Sequence, residues 1–140
     1  MRAERRTLRA LEEEARRYGI PPRTLAERII DEGVKVRRHP GIVFIEGGGG
    51  HRDAVLAGRP RLKVWMITQV VKGSRSHAEA AKYLSTTEDW IDRAMVYARD
   101  YPEEIEQAIR ENEEAFERVK RLYPPAFPRA RRPRRAARSR

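Results

Sequence analysis

Glycines and prolines interrupt this chain at several points, and they decide which segments can form helices or strands. Residues 19–22 (Gly-Ile-Pro-Pro) separate two segments in which apolar residues recur every three or four positions. Because proline cannot continue a preceding helix, this spacing predicts one helix over about 5–17 and a second over about 24–38. Thr24 and Glu27 have the spacing of a capping box at the start of the second helix. That helix is expected to bury a stripe of Leu25, Ile29, Ile30 and either Gly33 or Val34.

A β-hairpin is expected after the break at residues 39–41 (His-Pro-Gly). Residues 42–45 are β-branched or aromatic, Glu46 follows them, residues 47–50 are all glycine, and residues 53–57 can return as a second, shorter strand. Four glycines could also cradle a phosphate, but neither a Gly-Lys-Ser/Thr sequence nor a helix follows them. The pattern therefore favours a hairpin with a flexible tip.

Three helical segments are expected after the hairpin: residues 61–72, residues 77–84, and a segment that ends near 101 after the Ser-Thr-Thr cap at 85–87. A medium helix, a short alanine-rich helix, a polar turn and a longer helix form the layout of a helix-turn-helix motif. A plain helical bundle is the alternative. The third helix is expected to face the core with Ile91, Ala94, Met95 and Ala98, and to carry Trp90, Tyr97 and Tyr101 on its flank.

If these three helices read DNA, the start of the third must offer hydroxyls, amides or cations to bases and phosphates. Ser76 and Glu79 form another capping-box pair at the start of the second helix. The candidate DNA-binding residues are Arg75, Ser76, His77, Lys82, Thr86, Thr87 and Arg93. However, the third helix exposes four acidic residues against two arginines, a net −2 that would repel phosphates. The alternative is that the three helices contact protein and that DNA binds elsewhere.

Residues 102–123 are polar with apolar residues at regular intervals, and Pro102 lies where a helix can begin. Steps of four and three connect one seam of residues: Ile105, Ile109, Asn112, Phe116 and Val119. This rhythm is typical of a dimer or partner helix, in which a central asparagine can set the register. The same helix could instead lie on the protein's own core or in a partner's groove.

Positive charge is concentrated at the end of the chain. The net charge is +10, and residues 129–140 contain seven arginines and no acidic residue, which leaves +3 for the rest. Proline, alanine and arginine without apolar periodicity predict a disordered tail over 124–140. The tail can bind DNA phosphates or enter an acidic cleft of a partner protein. The arginines concerned are Arg129, Arg131, Arg132, Arg134, Arg135, Arg138 and Arg140.

The residue inventory argues against an enzyme. The chain has no cysteine, and its three histidines lack the spacing of a metal site. It contains no nucleophile elbow, Walker motif or His-Glu-x-x-His sequence, so the sequence predicts no catalytic residue, no metal and no cofactor. Its apolar stretches are too short to cross a bilayer, and nothing resembles a signal peptide. We therefore expect a cytoplasmic protein with no membrane association.

Several short sequence segments within residues 38–111 resemble those of a known family. They include His-Pro-Gly-Ile-Val-Phe at 39–44, Ala-x-x-Tyr-Leu-Ser at 80–85, and a phrase at 94–105 that ends Tyr-Pro-Glu-Glu-Ile. These phrases resemble a prokaryotic family of small helix-turn-helix proteins long catalogued as a domain of unknown function. The family includes VapB-like antitoxins paired with PIN-domain ribonuclease toxins. Residues 5–38 look like the helical part of a ribbon-helix-helix repressor that lacks its strand.

The sequence thus predicts a mainly α fold in four parts. These are an N-terminal helical pair at 1–39 that could dimerise, a β-hairpin plus helix-turn-helix domain at 40–101, a C-terminal helix at 102–123 and a disordered arginine-rich tail at 124–140. The resemblance implies a homodimeric type II antitoxin that represses its own operon and neutralises a PIN-like ribonuclease. The alternatives are an orphan helix-turn-helix regulator and a protein–protein adaptor without specific DNA binding.

Overall fold

The computed structural model describes residues 4–47 and 51–123. Within these ranges the helices are α1 (Arg5–Tyr18), α2 (Pro22–Arg38), α3 (Val64–Lys72), α4 (His77–Tyr83), α5 (Glu88–Asp100) and α6 (Pro102–Leu122). The strands are β1 (Ile42–Glu46), β2 (Arg52–Leu56) and β3 (Arg59–Lys63). The prediction of a mainly helical fold with a small β element is therefore confirmed. Residues 48–50 of the predicted glycine tip lie outside the described residues, as does the predicted tail at 124–140.

The first two helices pack against each other as a hairpin. Gly19 ends α1 in the left-handed conformation, with φ 66°, which glycine adopts without a steric penalty. Ala15 is the buried residue of α1. The capping box predicted at Thr24 is wrong, because α2 begins earlier, with Pro21 as its N-cap and no side chain bound to the free amides. Proline at the first helical position already has the helical φ, which explains the earlier start.

The burial predicted for α2 is also wrong. Ile29, Ile30 and Val34 are 53%, 60% and 43% exposed, and Leu25 is only half-buried. The apolar spacing that predicted this stripe is real, but no element in the described part of the chain covers it. An amphipathic helix shows which of its faces prefers burial, and a partner must still supply the cover.

The β element has three strands instead of two. β1 and β2 form the expected antiparallel hairpin, with Ile42 opposite Leu56 and Glu46 opposite Arg52. β3 then pairs antiparallel with β2, with a bulge between Val55 and Leu56. The sheet order is β1-β2-β3.

The helix predicted from residue 61 is therefore wrong in its first turn. Residues 59–63 form β3, and α3 begins at Val64. Leu62 is buried between the exposed Arg61 and the half-buried Lys63, which is the alternation of a strand with one covered face. Ala57 and Gly58 form the tight turn that returns the chain alongside β2.

The main core lies between the sheet and helices α3, α5 and α6. Its fully buried side chains include Ile42, Leu56, Val64, Ile67, Ile91, Ala94 and Tyr97. The prediction for Ile91 and Ala94 is confirmed, whereas Met95 and Ala98 are only half-buried. Tyr97, expected on the flank, is wholly buried because its hydroxyl donates a hydrogen bond to Glu104 of α6. That bond gives the hydroxyl the partner that a buried polar group needs.

Helix α6 begins at Pro102, as expected, and its two halves differ. Ile105 is buried and Ile109 packs against the core, so these two seam residues belong to the protein's own interior, which was the alternative to a partner role. Residues 112–123 are all exposed, and Phe116 and Val119 are 49% and 43% exposed. Over residues 4–47 and 51–123, no helix has both the length and the apolar character needed to span a bilayer.

Candidate nucleic-acid interface

Helix α4 is short, and its position depends on its capped start and on small buried residues. The side chain of Ser76 accepts a hydrogen bond from the backbone N–H of Glu79 at 3.1 Å, so the expected N-cap is confirmed. The Glu79 carboxylate reaches back to the backbone N–H of Arg75 at 2.9 Å. Ala80 and Ala81 are buried, which allows α4 to pack closely against α5.

A four-residue turn, residues 84–87, joins α4 to α5. Ser85 adopts a left-handed conformation with φ 54°, and the backbone N–H of Thr86 bonds the carbonyl of Ala81 at 2.9 Å. Thr87 caps α5 through a long contact, 3.4 Å, from the backbone N–H of Trp90. The start of α5 is therefore held in place and faces solvent, since residues 87–89 are exposed.

An arginine that sequence reasoning missed holds this turn from outside. The guanidinium of Arg59, in β3, donates to the carbonyl of Leu84 at 3.0 Å and also to the carbonyl of Ser85. Arg59 lies 25 residues from the turn, and the apolar spacing of residues 61–72 predicts a helix. The sequence carries no signal for this contact, because Leu62, the single aliphatic residue of 59–63, fits a helix as well as a strand.

Two acidic residues of α5 have close partners. The Nδ1 atom of His77 lies 2.6 Å from the Asp92 carboxylate, and the Nε atom of Arg93 lies 2.9 Å from that of Asp89. Arg93 also donates to the carbonyl of Pro40 at 2.8 Å, and its guanidinium lies over the Trp90 ring. Arg93 therefore connects α5 to the entry of β1, a structural role in addition to any contact with DNA.

The seven candidate DNA-binding residues thus lie on or beside α4, the turn and the start of α5. Arg75, Ser76, Lys82, Thr87 and Arg93 are exposed, and His77 and Thr86 are half-buried. With Arg59, the exposed cations next to the turn and α4 number three: Arg59, Arg75 and Lys82. They border a helix start that still carries Glu88 and the two paired aspartates.

A second polar cluster connects α2 to the core, and it contains none of the candidate DNA-binding residues. The Nζ atom of Lys35 lies 2.8 Å from Asp31 and 3.1 Å from Glu104, and the Tyr97 hydroxyl donates to the same Glu104 carboxylate. Burial lowers the pKa of Lys35, but its hydrogen bond to Asp31 and the negative charge of Glu104 outweigh this and raise it. Burial, together with the bond to Glu104, raises the pKa of Tyr97. His39 is buried beside this cluster, with its Nε2 atom 3.2 Å from Asp100.

Three kinds of comparison of the chain with known proteins give the same result. Neither a protein-family model, nor a curated protein, nor a solved structure matches the chain. Within residues 4–47 and 51–123, no group of three or more histidine, aspartate and glutamate side chains could hold a metal ion. The predicted arginine tail lies outside the described residues.

Proposed function

We propose that this protein is a DNA-binding regulator, and specifically the antitoxin of a type II toxin–antitoxin pair that acts in the cytoplasm as a homodimer. The observation that carries the proposal is the connection between α4 and α5. A seven-residue helix, a four-residue turn with a left-handed residue and a capped, exposed helix start follow one another. This is the local layout in which a helix-turn-helix protein places its second helix in the major groove.

The charges around the turn support this use. Asp89 pairs with Arg93, and Asp92 lies against His77, so Asp89 repels phosphates less than an unpaired carboxylate would. Arg75 and Lys82 are exposed at the two ends of α4, where they can neutralise phosphates on either side of the reading helix. Phosphate contacts of this kind supply most of the affinity, and the helix start supplies the readout.

The second half of α6 supports the toxin-binding part of the proposal. Residues 112–123 are exposed along their whole length, and Phe116, Val119 and Leu122 recur on one face at 49%, 43% and 65% exposure. An apolar face of this kind suits a groove on another protein. The seven tail arginines that follow would bind an acidic cleft such as a metal-holding carboxylate cluster of a PIN-like ribonuclease.

The DNA-binding part is tested with substitutions that leave the fold intact. Thr87 and Arg93 are poor choices, because one caps α5 and the other bonds Pro40. The double variant Arg75→Ala/Lys82→Ala removes two exposed cations instead, and Arg23→Ala/Lys120→Ala is the control with the same change of charge at a distance. A gel-shift on the upstream DNA of the operon should show weaker binding and a salt slope lower by about 0.9 per lost phosphate contact.

Equal binding by the two double variants would remove the α4–α5 surface from DNA recognition. It would favour the adaptor alternative, for which the acidic start of α5 is the supporting observation. If random DNA competes for binding as effectively as the upstream DNA of the operon, the protein is a regulator without sequence preference.

The toxin-binding part is tested by co-expression with the product of the adjacent gene, followed by affinity pull-down. Replacing the seven tail arginines by glutamine should abolish neutralisation if they enter the toxin's cleft. Phe116→Ala/Val119→Ala should weaken the complex, and Glu113→Gln/Glu114→Gln on the same exposed half is the matched control. Absence of any complex would leave an orphan regulator.

A further inference from the structure

A groove of about 740 Å³ lies beside the α1–α2 pair, and none of the candidate DNA-binding residues lines it. Its apolar lining includes Leu25, Ile29 and Phe44, which lie on α2 and β1. Its polar lining includes five carboxylates, contributed by both helices, the sheet and the first turn of α6: Glu14, Asp31, Glu32, Glu46 and Glu104. Apolar side chains and carboxylates therefore line the same concave site.

The groove has an excess of negative charge after its internal ion pairs are counted. Two arginines line it, and one of them, Arg52, pairs with Glu32 at 2.7 Å. Lys35 contacts both Asp31 and Glu104, so one cation serves two carboxylates. Five carboxylates against Arg28, Arg52 and Lys35 leave a net −2. A polyanion is therefore repelled from this site, and a cationic ligand is attracted.

We propose that this groove binds the arginine-rich end of the same chain, residues 131–140. That segment holds six arginines and no acidic residue. An arginine side chain can lay its aliphatic stem on an apolar surface and keep its guanidinium on carboxylates at the rim. The groove offers both apolar and acidic groups, which match both parts of that side chain, whereas a simple acidic patch would match only the guanidinium.

The length of the chain permits the contact. His51 lines the groove, and its Nδ1 atom lies 3.6 Å from Glu111 of α6, so the groove runs beside the middle of that helix. From Glu111 to the end of α6 at Leu122 the helix rises only about 17 Å. Arg131 follows Tyr123 by eight residues, which span up to about 28 Å when extended. The arginines from residue 131 onward can therefore return to the groove.

The proposed contact would control the availability of the tail. An arginine on a groove carboxylate cannot also neutralise a phosphate, so the groove competes with any polyanion for the same side chains. This inference does not depend on the proposed function, since it concerns two parts of one chain.

The test uses the full chain with a nitroxide spin label on Ser139→Cys, which is the sole thiol because the sequence contains no cysteine. The label should cause selective loss of amide signal at Phe44 and Arg52 in the groove, and little loss in α4. The loss should disappear in roughly 0.5 M NaCl, where the Debye length is only about 4 Å. It should also disappear in the groove variant Glu14→Gln/Glu46→Gln.

The matched control is Glu12→Gln/Glu13→Gln, which removes the same charge from an exposed part of α1 outside the groove. This control should keep the signal loss. Equal loss in the groove and in α4, or persistence in the groove variant, would overturn the proposal. Mixing spin-labelled chains with separate isotope-labelled chains should give no loss, and a loss in that mixture would assign the groove to the tail of a second copy instead.

Discussion

The N-terminal helical pair (α1 and α2) and the central body (the sheet with α3 to α6) are built from similar amphipathic patterns. Yet the two regions bury very different amounts of apolar surface. In the body, Ile67, Ile91 and Tyr97 are wholly buried. In the pair, α2 has no buried residue, and α1 has only Ala15. The difference shows that periodicity identifies an apolar face without showing whether the same chain covers it.

The pair is attached to the body largely through polar contacts. Arg52 of β2 makes two bonds to the Glu32 carboxylate, at 2.7 and 3.2 Å, and Lys35 reaches Glu104 at 3.1 Å. Ile30 and Val34 of α2 are exposed and do not line the groove, so they remain available for a second copy of the chain, as the proposed dimer requires. The body, in contrast, is stabilised mainly by burial of its apolar core.

The largest expected contrast is between two isoleucines, one in each region. Ile91→Ala should lower the free energy of unfolding by about 2–5 kcal/mol, because it leaves a cavity in the packed core. Ile30→Ala should change it by no more than about 0.5 kcal/mol at protein concentrations low enough to dissociate the proposed dimer, because that side chain is exposed in the monomer. Urea denaturation of both variants measures this. If Ile30→Ala costs as much, and the cost grows with protein concentration, the stripe is covered by a second copy.

A similar contrast is expected between two glycines. Gly41 has φ 95°, and a Cβ atom there would lie 2.7 Å from a ring carbon of Trp90. Gly41→Ala should therefore destabilise the protein by about 1–3 kcal/mol. Gly33, within α2, would meet only the mobile guanidinium of Arg37 at 3.4 Å, so Gly33→Ala should stabilise it by up to about 1 kcal/mol through better helix propensity. Thermal unfolding of both variants gives the signs, and a stabilising Gly41→Ala would contradict the close contact with Trp90.

The polar cluster between the two regions predicts a loss of stability at alkaline pH. The pKa values of Tyr97 and Lys35 are both raised by folding, from ordinary values of 10.0 and 10.5. Each group binds its proton more tightly in the folded state, so its contribution is complete below pH 10 and is lost as the pH rises further. Denaturation midpoints measured on both sides of pH 10 test this sign.

Tyr97→Phe isolates one of these groups. At neutral pH it should cost about 1–2 kcal/mol, because the Tyr97–Glu104 bond lies at a partly buried site. Above pH 10 the variant should lose less stability than the parent, since only Lys35 still contributes. Tyr83→Phe is the control, because Tyr83 is 77% exposed. An unchanged alkaline profile in Tyr97→Phe would contradict the shifted pKa of this residue.

The order of most elements could be predicted because it depends on local chemistry. Gly19, Pro102 and the Ser76 cap act within a few residues of themselves, and the structure has a helix boundary at each. The strand at 59–63 could not be separated from the following helix, because its apolar residue Leu62 fits either period. Its pairing with β2 decides the assignment, and that pairing is a tertiary contact.

The candidate DNA-binding site likewise combines features that the sequence predicts with features that depend on tertiary packing. Ser76 and Thr87 could be identified as caps from their positions, and both are N-caps in the structure. The contact of Arg59 with the turn, and the pairing of His77 with Asp92 across 15 residues, depend on how separate elements pack. Sequence reasoning could count the charges of α5 but could not show which carboxylates have a close partner on another element, as Asp92 has in His77.

The smallest expected contrast is between the two capping boxes read from the sequence. Ser76→Ala should cost about 1 kcal/mol, because it removes the acceptor for the backbone N–H of Glu79. Thr24→Ala should cost less than about 0.5 kcal/mol, since no side chain caps α2 and alanine favours a helix interior. A seven-residue helix is too short to be stable in isolation, so Ser76→Ala should also speed amide hydrogen exchange in α4 while leaving α2 unchanged. If Ser76→Ala leaves exchange in α4 as slow as in the parent protein, the buried alanines hold α4 without the cap.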